Sequence, residues 1–172
     1  MRYVKITMVK SMKRVTIHPE VRIGHIHLTV SDLDRSLKFY RDILGFEITT
    51  WYGDSAVFLS AGGYHHHIGL NTWAGKGAKS QQPGHTGLYH FAILYPHRLE
   101  LAKALNRVIE AGIPIAGTAD HGVSEAIYLE DPDGNGVELY ADRPTSKWPR
   151  DSDGKLKMGS SKLDIEDLLG QA

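Results

Sequence analysis

Gly24-His25-Ile26-His27-Leu28-Thr29-Val30 runs directly into Ser31-Asp32-Leu33-Asp34-Arg35-Ser36-Leu37-Lys38-Phe39-Tyr40-Arg41-Asp42-Ile43-Leu44-Gly45-Phe46. The first stretch alternates. His25, His27 and Thr29 share one face and Ile26, Leu28 and Val30 the other, as in a half-buried strand. In the second, Leu33, Leu37, Tyr40 and Leu44 recur at helical spacing. Ser31 is placed to cap this helix, Asp32 and Asp34 sit where the helix dipole favours acids, and Gly45 stops it. Phe46–Trp51, Ala56–Ser60 and His65–Asn71 then read as three short strands, with turns at Asp54 and at Gly62-Gly63. The result is a β-α-β-β-β unit over about residues 23–73.

The plan repeats further on. Residues 74–87 are rich in Gly, Lys, Ser, Gln and Pro and read as a linker. Leu88–Tyr95 is a strand, and Arg98–Ala111 is a helix that turns Leu101, Leu105, Val108 and Ile109 inward before Gly112. Pro114–Ala116, Glu125–Glu130 and Val137–Ala141 are the following strands. Asp131-Pro132-Asp133-Gly134-Asn135-Gly136 is a strong turn signal between the last two. His25 precedes Gly45 by 20 residues and His90 precedes Gly112 by 22, so the two units keep nearly the same internal spacing. The expected fold is α+β: paired βαβββ modules whose strands curl into an open, eight-stranded, cup-like mixed sheet. Helices would cover the convex side, and the concave side would be a cavity. One domain is expected over residues 22–144, with its second module at about 88–141. Residues 1–21 read as a basic arm or short edge strand. Residues 145–172 read as a polar tail without chemistry, in which Asp164–Leu169 forms a short amphipathic helical turn.

Composition narrows the function. Among 172 residues, 20 Lys and Arg balance 20 Asp and Glu, which argues against nucleic acid as a partner. No apolar run approaches the roughly 20 residues of a membrane span. The basic N-terminal stretch lacks the apolar core of a secretory signal, so the expected location is the cytoplasm. There is no cysteine, and there are ten histidines. Thiolate chemistry is therefore excluded, and imidazole and carboxylate must carry any metal or proton transfer.

His25 and His90 hold equivalent places in the first strands of the two modules, and Glu138 lies mid-strand between Val137 and Leu139. A carboxylate there is costly in an apolar core and tolerable beside a cavity or a cation. Two imidazoles and one carboxylate with positions left open suit a non-haem ferrous site; zinc accepts the same set. His65-His66-His67 is either part of such a site or a solvated patch. His27 reads as packing, and His18, His85 and His97 fall in polar or loop contexts. Gly75-Lys76-Gly77 lacks the strand–loop–helix frame of a phosphate loop.

The stretch from Gly24-His25 to Gly45-Phe46, with Tyr89-His90-Phe91-Ala92 and Asp131-Pro132-Asp133-Gly134-Asn135-Gly136-Val137-Glu138-Leu139-Tyr140, resembles the vicinal-oxygen-chelate superfamily. That superfamily contains glyoxalase I, type I extradiol dioxygenases and the fosfomycin and bleomycin resistance proteins. The resemblance covers about residues 18–144 and is greatest to short catechol-2,3-dioxygenase-like proteins. It implies metal ligation by His25, His90 and Glu138. The fourth ligand usual in glyoxalase I would fall at Gly69, which has no side chain, and this favours a three-ligand site. It further implies an acid–base role for His67, a hydrogen bond between Tyr128 and a substrate oxygen, and support from His121 in the His121-Gly122 segment. The implied reaction is extradiol cleavage of a catecholic aromatic by O₂ at Fe(II), with Mn(II) or Zn(II) as alternatives, in a homodimer. A glyoxalase- or isomerase-like metalloenzyme and a non-enzymatic protein that binds a drug or aromatic metabolite are the competing readings.

Overall fold

The computed structural model describes residues 15–80, 82 and 84–172, so most of the expected N-terminal arm lies outside the described residues. In β1 (Ile26–Thr29) the predicted alternation holds: Leu28 and Val30 are buried, while His25, His27 and Thr29 are exposed. The cap of α1 (Leu33–Leu37) is Asp32, not Ser31; Arg35 N donates to Asp32 Oδ1 at 2.9 Å. An aspartate there both accepts from the free amides and meets the helix dipole with a full charge. Ser31 is engaged elsewhere, its N–H donating to Asp133 Oδ2 of the second module at 3.1 Å. The helix continues over Lys38–Ile43 with wider, π-type bonding, in which Leu44 N reaches back five residues to Phe39 O at 3.0 Å. The adjacent rings of Phe39 and Tyr40 are both buried there.

β2 (Glu47–Tyr52), β3 (Ala56–Ser60) and β4 (Ile68–Asn71) join β1 in one mixed sheet of order β1-β4-β3-β2, with β1 parallel to β4. The second module comprises β5 (Phe91–Tyr95), α2 (Arg98–Glu110), β6 (Ile115–Asp120), β7 (Ser124–Glu130) and β8 (Gly136–Asp142). Its sheet has order β5-β8-β7-β6, with β5 parallel to β8. Order and polarity match strand for strand, so the repeat read from the sequence is a repeat of topology. The eight predicted strands form two four-stranded sheets, and among the described residues no strand ladder joins them. β6 runs on to Asp120, beyond the predicted Ala116, because Gly117 and Thr118 mask its pattern. β4 and β5 begin later than predicted, at Ile68 and Phe91, leaving His65–His67 and His90 just ahead of regular strand.

One apolar cluster spans both modules, from Leu28, Leu37, Leu59 and Leu70 to Leu101, Leu105, Ile127 and Leu139. Polar bonds fix the modules across it. Tyr40 OH donates to Asp131 Oδ2 at 2.8 Å, and Arg107 Nε donates to Ile43 O at 2.9 Å. Burial, and then the Asp131 charge, push the Tyr40 phenol well above its ordinary range. The tail joins this core: Leu163 and Leu168 are buried in the same cluster. α3 (Ile165–Leu169), capped by Asp164, packs on α2.

Candidate active site

Four of the six predicted site residues come together on the second sheet. Tyr128 on β7 and Glu138 on β8 are directly opposed in an antiparallel pair, which puts both side chains on one face. Tyr128 OH lies 3.3 Å from Glu138 Oε1 and 2.8 Å from His121 Nε2. His90 Nε2 lies 3.0 Å from Glu138 Oε2, and the His90 and Tyr128 rings are 5.6 Å apart. The Glu138 side chain keeps 12% of its surface exposed and that of His90 30%. Burial raises the Tyr128 pKa, and the Glu138 charge adds to this, so the phenol is neutral through the physiological range.

Glycine brings His90 close. A Cβ at Gly136 would lie 2.2 Å from Tyr89 O and 3.0 Å from the His90 Cβ, so any larger residue would push the start of β5 away from β8. The Asp131–Gly136 turn is held by Asp131, whose carboxylate accepts from Asp133 N, Asn135 N and Asn135 Nδ2.

His25 and His67 lie on the first sheet. His25 is exposed; its ring is 4.4 Å from that of His66 and 6.5 Å from that of His65. His65 Nδ1 and His66 Nδ1 are 2.7 Å apart, so one nitrogen is protonated and the other accepts. Burial, then the charge of His25, lowers the His66 pKa. His67 accepts from Ala61 N at 3.3 Å through Nδ1, which also meets Ser60 Oγ at 3.1 Å. Ile26 N donates to His67 O at 3.0 Å, so the backbone of His67 extends the β1·β4 ladder. His27 pairs with Gly69 in that ladder, and its ring occupies the space above the glycine. A Cβ at Gly69 would lie 2.9 Å from the imidazole. A fourth donor at this position would therefore have to displace His27.

Sequence reading missed the place of His66. A strand was expected from His65, but regular strand begins only at Ile68. It also missed the tail. Gly159 O lies 2.8 Å from His121 Nδ1, a contact across 38 residues with no local pattern to announce it.

Among the described residues no three histidine or carboxylate side chains form a group that could hold a metal ion. The His90–Glu138 pair brings together two of the three predicted donors. Two donors about 2.1 Å from a common ion and at right angles stand about 3.0 Å apart, the separation that His90 Nε2 and Glu138 Oε2 show. His90 Nδ1 is buried without a hydrogen-bond partner. The donor chemistry of this pair fits a divalent cation, and the third predicted donor, His25, lies on the other sheet.

The profile of the Glyoxalase/Bleomycin resistance protein/Dioxygenase superfamily matches residues 22–139, and the chain belongs to that superfamily. It is 46% identical over 157 residues to the catechol-2,3-dioxygenase of Bacillus subtilis (strain 168), across 91% of this chain and 54% of the relative. It is 30% identical over 128 residues to biphenyl-2,3-diol 1,2-dioxygenase 3 of Rhodococcus globerulus, across 74% of this chain and 66% of that protein. The chain thus spans about half to two thirds of the length of these relatives. Its fold matches the crystal structure of a glyoxalase/dioxygenase from Nostoc punctiforme. The TM-score is 0.63 at 22% identity, covering 78% of this chain and all of that one. No helix among the described residues is long and apolar enough to cross a membrane.

Proposed function

We propose that the protein is a metal-dependent extradiol dioxygenase of the cytoplasm, acting with O₂ on a catechol-type aromatic as a homodimer. The observation that carries this reading is the connected group on the second sheet. An imidazole–carboxylate pair 3.0 Å apart carries a phenol and a further imidazole within hydrogen-bond reach. A protein that only sequesters an aromatic has no need of such a chain of ionisable groups. The four-donor arrangement of a glyoxalase-type isomerase is disfavoured by the His27 ring above Gly69. The relatives named for diol-cleaving activity support the substrate class.

A divalent ion held by His90, Glu138 and His25 would supply Lewis acidity for two vicinal hydroxyls and a redox partner for O₂. Ferrous iron is the ion proposed, with Mn(II) and Zn(II) as alternatives. Tyr128 is proposed to hydrogen-bond a substrate oxygen, with His121 holding the phenol. His67 is proposed as the acid–base group beside the substrate. Separation of His25 from the His90–Glu138 pair within one chain supports the homodimer, with a second copy contributing its own His25.

The test is anaerobic loading with each of the three metals, followed by O₂ and a panel of substituted catechols. Yellow ring-fission product is expected with iron. Absence of that product with every metal and every catechol overturns the reading. His67→Ala should retain the metal and lose rate; turnover at the wild-type rate would remove His67 from the mechanism.

A further inference from the structure

The C-terminal tail enters the site through one atom. After β8, the chain turns at Thr145–Lys147 and anchors Trp148 by a bond from its Nε1 to Arg143 O at 2.8 Å. It passes Pro149 over Gly122 and returns antiparallel to the end of β6. There Asp120 N donates to Ser161 O and Ser161 N donates to Asp120 O, both at 2.9 Å. Gly159 N donates to His121 O at 3.2 Å, and Gly159 O receives the His121 ring at 2.8 Å. Leu163 and Leu168, buried beyond this point, fasten the strap to the core.

A backbone carbonyl only accepts hydrogen bonds, so His121 Nδ1 must carry a hydrogen in both charge states of the ring. The neutral ring then has its bare nitrogen at Nε2, which lies 2.8 Å from Tyr128 OH. The phenol has one proton and two acceptors near it, His121 Nε2 and Glu138 Oε1, of which the imidazole is nearer. We propose that Gly159 is a positioning residue: its carbonyl holds His121 as the Nδ1-protonated tautomer and so dedicates Nε2 to the Tyr128 hydroxyl. With Nδ1 spoken for, any proton the ring gains or loses passes at the nitrogen facing the phenol. Tyr128 therefore donates to His121 and turns its oxygen lone pairs outward, ready to accept from a substrate hydroxyl. The consequence for catalysis rests on the function proposed above; the tautomer itself does not.

Nitrogen chemical shifts of the imidazole, recorded on the full-length metal-free chain labelled at histidine, read the tautomer directly. Loss of the resonance in His121→Gln assigns it. At a pH where the ring is neutral, the expected result is a protonated Nδ1 and a bare Nε2. A protonated Nε2 with bare Nδ1 overturns the proposal, and this measurement needs neither metal nor turnover. Ser161→Pro removes the amide that pins the strap to Asp120 O and should return His121 to a mixture of tautomers; persistence of the pure Nδ1–H form would count against the strap. Gly159→Ala keeps the carbonyl and adds a Cβ into open space, so it should leave the tautomer unchanged. With metal loaded, Ser161→Pro should lower kcat about tenfold and leave KM nearly unchanged, because the lost interaction serves proton placement and not binding. If the wild type shows the Nδ1–H tautomer but opens no catechol ring, the functional reading falls and this inference stands.

Discussion

Tyr40 joins the two modules directly. Its ring lies wholly inside the core, and its hydroxyl is a partner of the carboxylate that organises the turn before Glu138. Tyr40→Phe leaves that carboxylate buried with one donor fewer and should cost about 1.5–3 kcal/mol in chemical denaturation. Its pH signature is distinct. The folded-state pKa stands above the ordinary value of 10, so the stabilisation is complete below pH 10 and is lost as pH rises through the folded-state value. The wild type should therefore weaken on the alkaline side, whereas Tyr40→Phe should show a flatter limb there; parallel alkaline limbs would refute the assignment. Helical spacing made Tyr40 legible in the sequence as a core residue. Its hydroxyl partner, 91 positions away, was not, because a side-chain bond across modules leaves no periodicity.

At the scale of elements, glycine and backbone contacts decide how near the site residues stand. Gly136 lets the start of β5 approach β8, and this approach sets His90 against Glu138. Gly136→Ala should separate the pair and lower affinity for a divalent ion about tenfold to a hundredfold in a competition titration, comparable to losing a ligand-orienting partner. Unaltered affinity in a folded variant would show that the close approach is unnecessary. The sequence signalled this glycine as part of a turn, and turn chemistry alone accounts for Asp131, Gly134 and Asn135. The close-approach role becomes visible only when the parallel strand is alongside. Similarly, alternation located β1 correctly, because those residues lie in or directly beside regular strand. Its reach ends near His67, whose backbone still pairs with Ile26 and Leu59 ahead of regular strand at Ile68.

For the whole molecule, the topological repeat was readable because each module carries its own strand, helix and glycine stops. How the modules' faces combine was not, since relative placement depends on side chains such as Tyr40 and Arg107 that bridge them. The three proposed donors are divided as a result, with His90 and Glu138 paired on one sheet and His25 beside His65 and His66 on the other. In a symmetric dimer with sites formed between copies, each site takes its first-sheet histidine from one chain and its second-sheet pair from the other. His25→Ala and Glu138→Ala should then each lose bound metal and ring cleavage. Co-expressed, they should regain both, because the mixed dimer has one site free of either substitution while the other carries both. If each site drew all its ligands from one chain, the mixed dimer would have a lesion in both sites and regain nothing. Metal content and turnover of the purified mixed dimer, compared with each variant alone, separate the two arrangements.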